Sequence, residues 1–265
     1  MARMYYKHLF TTIAALALAS TAAFADGISD SITELPITVP SGQTGFVGGS
    51  VGLEYGRATT EYGYKTDFSS QSVSLEYAAT PKLAFAIDLE NQSTSDYSNV
   101  GGTVVNLHGI YTLNSNVKLG AWVARDDTFL WGYRGKGIEI SYNTDALELQ
   151  AHWGDWSEST DPSWADDGPQ IGISADYKFG NGFSVNAAMT KANLQSANYT
   201  NWVIGGAYKL SSSLSLFAAA GHYDNDTYYA SEKTMAIGVN FDFGPNSGTT
   251  FNLREMKNFY ASGPT

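Results

Sequence analysis

The sequence predicts an all-β fold: a transmembrane antiparallel up-and-down β-barrel of about 12 strands, with short periplasmic turns and longer extracellular loops. Three observations predict it. Segments of period two recur from Phe46 to Phe243, apolar on one parity and small or polar on the other. Short and long connections alternate between them, and aromatic residues gather at their ends. A soluble sandwich would also bury an apolar face, but nothing in it demands strict short–long alternation. In a barrel that crosses a bilayer, one face meets lipid, the other meets the lumen, and the two ends lie in different compartments.

Arg3 and Lys7 precede an apolar run from Leu9 to Phe24, and Ala23 and Ala25 are the small residues a signal peptidase reads. Residues 1–25 are therefore expected to be a secretory signal peptide. The run is too short and Ala-rich for a membrane anchor. Residues 26–45 are polar and carry Pro36 and Pro40; they are expected to form a periplasmic lead-in, with a short plug or a late-pairing strand as alternatives.

The repeat then starts. Val47, Gly49, Val51, Leu53 and Tyr55 alternate with Gly48, Ser50, Gly52, Glu54 and Gly56. Val73, Leu75 and Tyr77 follow, then the turn Thr80-Pro81, then Leu83, Phe85, Ile87 and Leu89. Val105, Leu107 and Tyr111 lead through Asn114-Ser115-Asn116 to Val117, Leu119 and Val123. Ile138, Ile140 and Tyr142 turn at Thr144-Asp145-Ala146 into Leu147, Leu149 and Trp153. Ile171, Ile173, Tyr177 and Phe179 turn at Gly180-Asn181-Gly182, whose residues accept positive φ. Phe183, Val185 and Met189 precede Trp202, Ile204, Tyr208 and Leu210. After Ser211-Ser212-Ser213 come Leu214, Leu216 and Ala218, where Phe217 on the other parity leaves the facing ambiguous. Met235, Ile237, Val239, Phe241 and Phe243 complete the set. The glycine motif at 48–52 lacks the Gly-Lys-Ser/Thr of a phosphate loop and is read as small residues that permit strand curvature.

Gly238-x-x-Phe241-x-Phe243 resembles the closing-strand signal of bacterial outer-membrane proteins, and residues 46–243 resemble a small porin-like barrel of Gram-negative bacteria. The resemblance implies the outer membrane, with lipid, lipopolysaccharide and the barrel-assembly machinery as partners. It implies passive passage of small solutes or cations, and leaves a homo-oligomer open. Outer-membrane barrels usually end at the closing aromatic, whereas residues 244–265 follow here. An extended periplasmic tail is expected; a short helix over 251–260 or a further strand are the alternatives.

Glu54, Glu76, Asp88, Glu90, Glu139 and Asp176 share the lumen parity, as do His108 and His152. These eight are the candidate pore-lining residues. Lys82, Lys118, Lys178 and Lys209 also read inward, beside the tight turns. Acids within the bore would favour cations; the alternative is that they pair with Arg57, Arg125 or the lysines and only satisfy a packed interior. Trp122 is read as bore-lining or as filler. Asp126-Asp127, Asp166-Asp167 and Asp224-Asn225-Asp226 are read as solvated loop charge.

The chain has no cysteine, and no His spacing suits a metal, so no cofactor or metal is expected. Its net charge of −11 becomes two units more negative once Arg3 and Lys7 leave, which excludes nucleic acid as a partner. An outer-membrane lipid hydrolase would need a lipid-facing Ser–His pair. His108 and His152 read inward, so no catalytic residue is assigned. The rival to a channel is a closed structural or adhesive barrel.

Overall fold

The computed structural model describes residues 44–95, 101–127, 132–158, 167–195, 198–226, 230–245 and 248–252. The expected signal peptide, the lead-in up to residue 43 and residues 253–265 lie outside the described residues. Twelve strands run in chain order: β1 (Gly45–Thr60), β2 (Lys65–Ala78), β3 (Leu83–Thr94), β4 (Gly101–Thr112), β5 (Val117–Asp126), β6 (Tyr133–Asn143), β7 (Leu147–Glu158), β8 (Gly168–Lys178), β9 (Phe183–Asn193), β10 (Asn198–Lys209), β11 (Leu214–Asn225) and β12 (Ala230–Phe243). Each pairs antiparallel with the next, and β12 pairs with β1 from Gly49↔Phe243 to Thr60↔Glu232. The sheet is a closed barrel with no free edge.

Parity decides the facing. Leu53, Phe85, Ile138, Ile173, Met235 and Ile237 point outward and are exposed; Phe68, Trp122 and Trp156 point inward and are buried. Val73 keeps the outward parity but is only 4% exposed. The ambiguity of β11 resolves with Phe217 inward and Leu216 outward. Its register supplies the reason: Phe217 stands opposite Gly238, and a Cβ at Gly238 would collide with the Phe217 ring.

Several strands outrun their hydrophobic pattern. The connection expected over Ala58–Asp67 shrinks to residues 61–64, because the β1–β2 ladder continues to Thr59↔Lys65. Backbone hydrogen bonds hold these ends, where polar side chains interrupt the apolar alternation. Asp126, Asp224 and Asn225 consequently lie on strands rather than in loops, and Asp126 is buried.

After β12 the chain turns back at Gly244 and Gly248, with φ of +87° and +99°. A Cβ at Gly48 would strike the Gly248 carbonyl, so that glycine is needed for close passage of the returning chain as well as for strand geometry. Gly248–Asn252 is not extended outside the barrel: Thr250 and Phe251 are buried within it.

This facing predicts quencher accessibility. Spin labels at Ile87, Leu149 and Ile173 are expected to relax with a lipid-soluble quencher, and labels at Ser72 and Thr190 with a water-soluble one. Uniform response to one quencher would contradict the assigned faces.

Candidate functional site: the lumen

The lumen divides into a packed side and a cavity. On the packed side, His108 of β4 lies between two carboxylates. Its Nδ1 is 2.7 Å from Glu139 Oε1 and its Nε2 is 2.7 Å from Asp88 Oδ2, with all three side chains buried. β5 separates His108 from Glu139, and Gly120 makes the reach possible. A Cβ there would come within 2.6 Å of Glu139 and 2.7 Å of the Phe251 ring. A doubly protonated ring donates an N–H to each carboxylate, whereas a neutral ring turns one lone pair toward an anion.

Phe251 stacks on His108, with ring centroids 6.2 Å apart, and packs among Ala84, Ala86 and Ile110. The Thr250 N–H donates to Glu76 Oε2 at 2.6 Å and its hydroxyl faces Glu76 Oε1 at 2.9 Å. Lys118 Nζ donates to Thr250 Oγ1 at 2.7 Å. The Gln150 amide donates to the Thr250 carbonyl and accepts from the Asn252 N–H, both at 3.2 Å.

Toward the long loops the filling is aromatic. Trp122, Tyr133, Trp156, Tyr199 and Tyr223 form one buried cluster with Ala124, Ala192 and Leu194; Phe68, Val203, Ala219 and Ala236 form another. Trp156 Nε1 donates to Gln170 Oε1 at 3.0 Å. Gly135, Gly137 and Gly154 provide the space, since a Cβ at any of them would meet an indole ring.

What remains is a cavity of about 360 Å³. Glu54, Glu90, Glu148, His152, Asp176, Asp242, Lys178 and Lys209 line it, with Ser72, Ser174, Asn186 and Asn240 among the neutral polar groups. Gln92 donates to Glu90 at 2.9 Å, and Lys178 lies 3.7 Å from Glu148. Of the sequence-predicted residues, Glu54, Glu90, His152 and Asp176 line the cavity. Glu76, Asp88, His108 and Glu139 belong to the packed side. Arg57 and Arg125 pair with Asp67 and Asp127 at 2.6 and 2.7 Å, not with lumen acids. Among the described residues no group of three His, Cys, Asp or Glu could hold a metal ion. Sequence reasoning missed Phe68, Trp156, Thr250 and Phe251. Extending the β2 and β7 parities past their apolar runs would have turned Phe68 and Trp156 inward.

The comparisons with known proteins agree with this geometry. The family model for the Gram-negative porin matches residues 37–228. The chain belongs to the Gram-negative porin family. It is an outer-membrane channel by that membership. The porin also shares its fold with solved structures. A KdgM porin is 12% identical with a TM-score of 0.54, covering 73% of this chain and 100% of that one. A NanC porin is 12% identical with a TM-score of 0.55, covering 71% and 98%. An outer membrane channel from Pseudomonas putida F1 is 14% identical with a TM-score of 0.55, covering 81% and 100%. No curated protein matches the sequence.

The packed side of this porin predicts a stability effect. His108→Ala leaves Asp88 and Glu139 buried without their partner, a loss of about 3–5 kcal/mol. It is read as the shift in urea unfolding of the refolded barrel. The triple variant Asp88→Asn/His108→Leu/Glu139→Gln is expected to recover part of that loss. Unchanged stability in His108→Ala would contradict the network.

Proposed function

We propose that this porin is a passive, non-enzymatic channel for small hydrophilic solutes that prefers cations. The observation that carries the reading is the charge on the cavity wall. Five carboxylates, Glu54, Glu90, Glu148, Asp176 and Asp242, face the cavity with two lysines, Lys178 and Lys209. Asp88 and Glu139 contribute less to that field, because His108 lies between them.

The magnitudes favour an effect. Two unit charges ~4 Å apart interact by about 1 kcal/mol in bulk water and about 4 kcal/mol at an effective dielectric constant near 20. Each ~1.4 kcal/mol corresponds to a tenfold change in occupancy at 25 °C. A few incompletely compensated acids beside a narrow water path therefore bias which ion enters. Charges more than a Debye length apart, ~8 Å at physiological salt, cease to cooperate. The cavity size suits small solutes and excludes folded chains. Two of the three described histidines support the non-enzymatic reading: His108 is locked between carboxylates and His152 faces the cavity, whereas His222 shares the outward parity of Leu216 and lies beside the Trp202 ring.

A closed barrel is the second reading, and the two aromatic clusters and the inserted Phe251 are what favour it. Planar-bilayer recording separates the two. Under a KCl gradient the reversal potential is expected on the cation side. Glu90→Gln/Asp176→Asn should move it toward the non-selective value, and Lys178→Gln/Lys209→Gln should move it away. Raising the salt should shrink every difference. Chloride preference in the native porin would overturn the charge argument.

A further inference from the structure

We propose that the packed side of the lumen is a peptide-binding seat, that residues Gly248–Asn252 occupy it in cis, and that this occupation narrows the water path. The effect on the water path rests on the channel reading; the seat itself does not.

The contacts are those of recognition rather than of a chain end lying in available space. Glu76 takes both the backbone N–H and the hydroxyl of Thr250, at 2.6 and 2.9 Å. Gln150 brackets the next peptide units by donating to the Thr250 carbonyl and accepting from the Asn252 N–H. A primary amide that takes a C=O and an N–H two residues apart reads the main chain of a bent segment as a neighbouring peptide group would. Between these two polar grips the Phe251 side chain enters a pocket of Ala84, Ala86 and Ile110 and is fully buried against His108. Gly120 is the floor of that pocket, since a Cβ would overlap the ring. The ligand class is thus a short, bent segment carrying a hydroxyl residue, an aromatic and an amide in sequence.

The geometry also couples the seat to the cavity. Gln150, which holds the segment, and Asn252, which belongs to it, both line the cavity, so the inserted segment forms part of the cavity wall. A tethered segment acts at an effective concentration in the millimolar range, so modest intrinsic affinity keeps the seat filled. Release of the segment removes Phe251 and Asn252 from the bore and joins the vacated space to the cavity. The seat opens toward the end where β12 finishes, because the chain enters past Gly48.

The test uses two truncations of the porin and one free peptide. Removing residues 253–265 leaves the segment in place; removing 248–265 empties the seat and retains Phe243. Folding of each is checked by its heat-modifiable mobility. A fluorescent peptide of sequence Gly-Thr-Thr-Phe-Asn, tested at up to millimolar concentration in detergent, is expected to bind the longer truncation. It should bind the full chain and the shorter truncation at least tenfold more weakly. Phe→Ala in the peptide, or Glu76→Gln in the barrel, should lose that binding. Equal binding to all three proteins, or binding to none, overturns the seat. In bilayers the 248–265 deletion should conduct more than the 253–265 deletion, and added peptide should lower its conductance. Equal conductance in the two overturns the narrowing. Silence in both overturns the channel reading on which the narrowing rests, while the peptide measurement still decides the seat.

Discussion

Backbone N–H and C=O groups find no partner in hydrocarbon, and every strand of this chain must therefore be paired on both sides within the membrane. The β1–β12 ladder satisfies that demand. Its pairs from Gly49↔Phe243 to Thr60↔Glu232 convert eleven sequential hairpin pairings into a closed surface. The outward residues then have only lipid to meet, which is why exposed Ile138, Ile173 and Met235 are stable there. The same closure fixes the diameter. Eight strands leave room only for side chains and sixteen leave an aqueous channel. With twelve, the chain must itself decide how much of the bore is filled.

It does so unevenly. Trp122 and Trp156 fill space left by Gly135, Gly137 and Gly154, while Phe251 and Glu139 fill space left by Gly120. Large and small residues alternate across neighbouring inward positions, as in a soluble core. The charged groups divide in the same way. Asp88 and Glu139 face a single imidazole and Glu76 holds the Thr250 backbone, so desolvation of these acids is offset locally. Glu90 and Asp176 stand instead at the cavity wall, where Gln92 donates to Glu90.

Much of this was legible in the sequence, and the boundary follows physical lines. Period-two alternation is imposed residue by residue by the lipid, so strand number, closure and the facing of Glu54 or Ile173 could be read directly. Where strands leave the apolar band that constraint lapses, and β1, β2 and β5 run further than their pattern indicates. Inward parity also does not distinguish water from packing. His108 and His152 share it, yet one is sealed between carboxylates and the other borders the cavity. The returning segment was least legible. Thr250 and Phe251 carry no periodic signal, and their partners Glu76 and Gln150 lie 174 and 100 residues away from Thr250 in the chain. The turn after β12 rests on the positive φ of Gly244 and Gly248, which the sequence alone does not show.

The division of the lumen into a packed side and a cavity is the claim on which the rest depends. The absence of cysteine makes it directly measurable, because one introduced thiol is the only reactive one. A small charged thiol reagent added to the refolded porin is expected to modify Ser174→Cys and Asn186→Cys rapidly. Under the same conditions Ser141→Cys and Ala86→Cys, on the packed side, are expected to react at least tenfold more slowly. Equal rates at the four positions would contradict the division.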